Sequence, residues 1–284
     1  MAKILAAEFG PKGWPVCTFE GPDLNDPPSK VDISPATDVL GHQFLPLKDT
    51  MIDMAQSMID SGFAKKPDLK PTLVYFNIRG RGQNIRFLCK AAGIDFHDRQ
   101  IKFDDWPKLK AEKVYGDFGH LPVWIDEDGN TMKDQTVAIG KMLAQRKGWE
   151  PKTPQQTYQF EFWYSMTEDF FKDSTIMTPI YKENASEEEK SRFIEKFTEY
   201  FQKLDDLWKD ERKYVTGDSI TFADFGFFTI VSSITENPGL RIPALGDQIK
   251  TVIDTVPNVK RVYENIKAMP RVAEALAEAP SGYF

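Results

Sequence analysis

The sequence predicts an α/β segment over residues 71–150, an all-helical segment over 151–284, and an extended arm over 1–70 that precedes both. Three observations carry this. Strand-like and helix-like patterns alternate only between 71 and 150. From 151 onward the patterns are helical, and two capping boxes mark helix starts there. The first 70 residues hold Pro11, Pro15, Pro22, Pro27, Pro28, Pro35, Pro46 and Pro67, a density that forbids long helices and discourages a central strand.

One short helix is expected in the arm, over 49–61, where Met51, Ile52, Met54, Met58 and Ile59 fall near helical spacing. Asp49 would cap it and Gly62 would end it. Two readings of the arm stand side by side: a flexible tail, or an arm that docks on a protein partner. The second is motivated by Trp14, Phe19, Phe44, Leu45 and Phe63, apolar anchors that a solvated tail does not need.

In the α/β segment, residues 72–92 read TLVYFNIRGRGQNIRFLCKAA. The β-branched and aromatic run 72–76 is a strand, a glycine-bearing turn follows, and a helix is expected over 83–92, stopped by Gly93. A second strand is expected over 96–101. Strands at 123–125 and 131–132 flank Asp126-Glu127-Asp128-Gly129, a hairpin turn. A helix over 136–147 ends at Gly148. The order β-α-β-α-β-β-α is that of a thioredoxin-like domain, which places a cis-proline before the hairpin; Leu121-Pro122 stands there.

The helical segment opens with 153–173, rich in Tyr158, Phe160, Phe162, Trp163, Tyr164, Phe170 and Phe171. At helical spacing these aromatics read as core or dimer contact, or as the wall of an apolar pocket. Ser186-Glu187-Glu188-Glu189 starts a second long helix, to about 210. Thr221-Phe222-Ala223-Asp224 starts a third, apolar nearly all round, at the centre of a helical bundle. Pro257 and Pro270 start the last two.

Composition narrows the function. The net charge of −7 offers no basic stripe for nucleic acid. Residues 71–150 are nevertheless net positive, and they contain the candidate anion site. Cys17 and Cys89 are expected to be reduced thiols, and neither they nor His42, His97 and His120 form a metal set. No run approaches the roughly 18 apolar residues of a membrane span, and the N-terminus lacks a signal-peptide pattern. A cytoplasmic protein is expected.

The stretch Tyr75-Phe76-Asn77 with Arg81, and the capping box at Thr221, resemble the Tyr-type glutathione transferases, most closely the sigma class. The resemblance covers 71–284; the arm has no counterpart in the ordinary family. It implies glutathione as co-substrate, no metal, a homodimer, and a small hydrophobic electrophile as second substrate. Tyr75 would donate its phenol proton to the glutathione sulfur, with Arg81 in support. Gln135 and Thr136 would bind the γ-glutamyl carboxylate at a helix N-terminus. Trp106 and Lys110 would bind the glycyl carboxylate, and Leu121, before Pro122, would pair its backbone with the cysteinyl unit. Asp169 would reach the ligand of the partner subunit. The chemistry is demanding: a free thiol of pKa about 8.5 is only a few per cent ionised at neutral pH, and lowering it by two units takes roughly 2.7 kcal/mol.

Several positions depart from the family pattern. Gln83 replaces a usual Glu, Gly82 an Ala, and His120 a Gln that contacts the ligand. The leading expectation is a glutathione transferase acting in detoxification. Two others accompany it: a non-catalytic structural subunit docked through the arm, and a glutathione-dependent isomerase of the prostaglandin D synthase type.

Overall fold

The computed structural model describes residues 2–10, 46–63, 70–173, 176, 179, 180, 182 and 184–282. The chain divides into two compact units, Met1–Leu69 and Lys70–Phe284.

The described part of the first unit holds two helices rather than the one expected: α1 (Ala2–Phe9) and α2 (Leu47–Asp60), which touch each other. Asp49 is not the cap of α2. Pro46 precedes the helix and its carbonyl accepts the Thr50 N–H at 3.0 Å, so Asp49 falls in the first turn, where its charge still suits the helix dipole. Gly62 follows the helix in a left-handed conformation, φ 72°. Phe63 is exposed; Trp14, Phe19, Phe44, Leu45 and Cys17 lie outside the described residues.

The second unit begins with a four-stranded sheet in the order β2-β1-β3-β4: β1 (Thr72–Phe76), β2 (His97–Ile101), β3 (Val123–Ile125) and β4 (Met132–Asp134). β1 runs parallel to β2 and antiparallel to β3, and β4 is antiparallel to β3. Alternation along β1 sorts its side chains. Leu73 joins the main core beneath α3 (Gly80–Ala92) and α5 (Thr136–Gln145). Val74 and Phe76 point to the other face, into a small cluster with Ile101, Tyr115, Val123 and Trp106. Tyr75, in phase with Leu73, therefore faces α3. The Leu121–Pro122 bond is cis.

Helix α3 starts three residues before the expected 83. Gly80 and Gly82 are poor helix formers, so propensity places the start too late. The Arg79 carbonyl accepts the Gln83 N–H at 2.9 Å and closes that first turn. β2 begins at His97, because Phe96 turns into the core against Trp124.

The rest of the unit is helical: α6 (Pro154–Lys172), α7 (Glu187–Leu207), α8 (Phe222–Thr235), α9 (Pro243–Asp254), α10 (Pro257–Lys267) and α11 (Val272–Ala277). Both capping boxes form. Every residue of α8 is buried. Asp224 accepts the N–H groups of Thr221 and Val215 at 2.7 and 2.8 Å. Helix α9 is absent from the sequence reading. Its signal was Pro243 followed by Leu245, Ile249 and Ile253 at spacing four, all buried. Of the α6 aromatics, Phe160, Trp163, Tyr164 and Phe170 are core, whereas Tyr158 and Phe162 are exposed. Among the described residues no helix is long and apolar enough to cross a membrane.

Helices α5 and α8 meet at Gly140. A Cβ there would lie 1.9–2.2 Å from three carbons of the Phe222 ring. Alanine favours an isolated helix by about 1 kcal/mol over glycine. Here the sign reverses: Gly140→Ala is expected to cost about 2 kcal/mol or more by overpacking. A denaturant midpoint equal to or above that of the wild type would contradict this.

Candidate functional site

The strand registers bring the predicted residues to one edge of the sheet. Val74 pairs with Val123, and Val123 with Asp134, so the end of β1, the Leu121-Pro122 corner and the Gln135-Thr136 start of α5 are neighbours. Phe76 lies edge-on to Trp106, at 5.8 Å between ring centroids, which places the start of α4 (Trp106–Ala111) beside the end of β1. The Lys110 stem packs on Gly119, where a Cβ would meet its carbons at 2.9 and 3.0 Å. His120 Nδ1 lies 3.4 Å from Gln135 Nε2. Lys110, His120 and Gln135 are exposed, Trp106 and Leu121 half-buried, Pro122 and Thr136 buried.

Gln135 holds a left-handed conformation, φ 70°, and makes no side-chain cap to α5. The first turn of α5 carries no acidic residue, so its N–H groups and the helix dipole are available to an anion.

Tyr75 is 6% exposed. Its oxygen accepts the Arg81 backbone N–H at 3.2 Å, from the first turn of α3. The phenol proton has no acceptor among the described residues. Burial raises the phenol above its ordinary value, against the opposing pull of Arg81, Arg86 and the nearby N–H groups. Tyr75 is therefore a neutral donor at physiological pH.

Arg81 contributes to this arrangement through its backbone. Its guanidinium binds both carboxylate oxygens of Glu168 on α6, at 3.0 and 2.9 Å, and lies 4.8 Å from the Phe171 ring centroid. Glu168 thus touches the site, and the sequence reading passed over it for its neighbour Asp169, which is exposed on the same helix.

Two buried arginines stand behind the site. Arg86 donates to Asp98 on β2 at 3.0 Å and to the carbonyls of Phe76 and Ile78 at 3.2 and 2.9 Å, fixing the loop behind Tyr75. Its guanidinium lies 5.8 Å from the Tyr75 ring centroid. Arg79 is 1% exposed and donates to the carbonyls of Ser232, Glu236 and Pro280. Burial lowers its pKa to about 10, still charged at neutral pH. The sequence reading gave Arg86 no role.

A separate cleft of about 600 Å³ is lined by Lys90, Asp98, Arg271, Glu274 and Glu278 among others, and by none of the predicted site residues. Among the described residues no group of three or more His, Cys, Asp or Glu is arranged to hold a metal ion. Cys89 is buried, and its thiol is raised far above the usual range by that burial, which removes it as a nucleophile.

Comparison with known proteins bears on the family and the fold. Residues 169–279 match the family model "Glutathione S-transferase, C-terminal domain". Glutathione S-transferase 1 of Ascaris suum is 28% identical over 73% of this chain and 96% of its own length. The glutathione S-transferase class-mu 28 kDa isozyme of Schistosoma japonicum is 30% identical over 58% of this chain and 80% of its own length. The solved pi-class glutathione S-transferase of Onchocerca volvulus superposes with a TM-score of 0.59 at 24% identity, covering 74% of this chain and 93% of that one, and shares the fold.

Proposed function

This chain belongs to the glutathione S-transferase family, and on that premise we propose that it conjugates the thiolate of glutathione to soft electrophiles, with Tyr75 as the thiol-activating donor. The observation that carries this is the Tyr75 hydroxyl: its oxygen is held from behind by the Arg81 N–H, and its proton is uncommitted among the described residues. A phenol held this way donates a hydrogen bond to a sulfur anion without reorganising.

The other residues fit the two ends of the tripeptide. Uncapped N–H groups at Gln135 and Thr136 suit the γ-glutamyl carboxylate. Trp106 and Lys110 supply an indole donor and a cation for the glycyl carboxylate. The Leu121 backbone, at the cis corner, suits the cysteinyl unit, and His120 stands beside Gln135. In the reaction the thiol first gives its proton to solvent; the thiolate sulfur then forms a bond to carbon, the leaving group departs with its electron pair, and the phenol keeps its proton.

Retention on immobilised glutathione, followed by turnover of an aryl halide, tests the reading. Because Tyr75 stays neutral, the rate should rise with pH through one ionisation, that of the bound thiol, below the free-thiol value of about 8.5. Failure to bind immobilised glutathione would remove the reading. We extend it to a homodimer: Tyr158 and Phe162 stack at 6.1 Å on the outer face of α6 and, with Leu207, remain exposed. Light scattering is expected to give twice the chain mass of 32.5 kDa; a monomer would contradict it.

A further inference from the structure

We infer that Gly82 is a positioning residue for the Tyr75 phenol, an inference that rests on Tyr75 being the thiol donor. Gly82 sits in the first turn of α3 and has no left-handed backbone to account for it. As a helical glycine it costs about 1 kcal/mol relative to alanine. What it supplies is space. A Cβ at Gly82 would lie 2.3 Å from Tyr75 Cδ1, 2.5 Å from Cγ and 2.9 Å from Cβ.

Gly80 plays the complementary part at the other end of the ring. Its φ is 38°, and a Cβ there would lie 2.8 Å from the phenol oxygen. Between the two glycines the Arg81 N–H donates to that oxygen. The triplet Gly80-Arg81-Gly82 thus runs along the ring from its hydroxyl to its base. The base of the ring has little room to yield, because Tyr75 is paired with Gln100 in the β1–β2 ladder and the loop beyond it is fixed by Arg86.

A methyl at position 82 must therefore push the ring away from α3. The 3.2 Å hydrogen bond from the Arg81 N–H to the phenol oxygen breaks first. A hydroxyl that accepts an N–H is polarised and donates its own proton more strongly. Gly82 acts on the thiol through Tyr75 and touches no part of the tripeptide's anion sites. Alanine, which the resembling family often has at this position, is expected to lower activity here.

The test compares wild type, Gly82→Ala, Tyr75→Phe and the double variant, reading kcat and the KM for glutathione with an aryl halide. Gly82→Ala should lower kcat about tenfold and leave the KM within about twofold; in the Tyr75→Phe background it should change kcat less than about twofold. Unchanged or raised kcat in Gly82→Ala, or equal losses in both backgrounds, would overturn the inference. Thermal melting covers a Gly82→Ala protein that does not fold, and a wild type with no turnover. Tyr75→Ala removes the atoms at 2.3 and 2.5 Å, so Tyr75→Ala/Gly82→Ala should melt within about 5 °C of Tyr75→Ala, while Gly82→Ala alone melts well below wild type. Equal destabilisation by Gly82→Ala with and without the ring would overturn the inference as well. If wild type is not retained on glutathione, the enzymatic reading fails by itself, and melting still decides whether Gly82 makes room for this ring.

Discussion

Tyr75→Phe is expected to lower kcat/KM for aryl halide conjugation by about 100-fold and to leave the folded protein intact. The size follows from the thiol. Moving its pKa down by about two units takes roughly 2.7 kcal/mol, and one short hydrogen bond from a neutral donor in a desolvated site supplies most of that. The change deletes one oxygen from a ring that is otherwise buried. It leaves the Arg81 N–H without its acceptor, at a stability cost of about 1–3 kcal/mol. Glutathione should still bind, because Trp106, Lys110, Gln135 and Thr136 are untouched. A variant that turns over at the wild-type rate would take Tyr75 out of the chemistry.

Arg79→Met is expected to cost about 3 kcal/mol or more of folding stability. Arg79 is the N-cap of α3, and its side chain is almost wholly buried. Nη1 donates to Ser232 at 3.0 Å and Nη2 to Glu236 at 3.2 Å, which places a cation at the C-terminal end of α8, where the dipole favours it. Nε donates to Pro280 at 3.1 Å and ties down the segment after α11. Removal leaves three carbonyls short of a donor in a buried setting. Arg79→Lys keeps the charge but lacks the planar fork, and should lose an intermediate amount. Denaturant midpoints at constant slope would measure both. Values within about 0.5 kcal/mol of wild type would show that this arginine is not what joins the β1 loop to the helical layer.

These two residues show what a single sequence discloses. The place of Tyr75 on its strand was legible, because alternation fixes its face and the glycine-bearing turn after it announces a helix start; its role as a donor rests on the family resemblance. The capping boxes at Ser186 and Thr221 were legible because their partners are three residues apart. The α5 N-terminus was legible for the same local reason. What Arg79 holds together was not legible, since its acceptors lie more than 150 residues away. Glu168 was missed because the bond that gives it meaning spans 87 residues. Helix α3 was placed late because two glycines argue against a helix there, and the reason for Gly82 is the ring of another element. Helix α9 was a failure of pattern reading, since its buried positions repeat every fourth residue.

The most direct measurement is the ultraviolet titration of the glutathione thiol bound to wild type and to Tyr75→Phe. The proposed phenol donor predicts a thiolate signal that appears about two pH units below free glutathione in the wild type and returns close to the free value in the variant. The same titration curve in both proteins would contradict it.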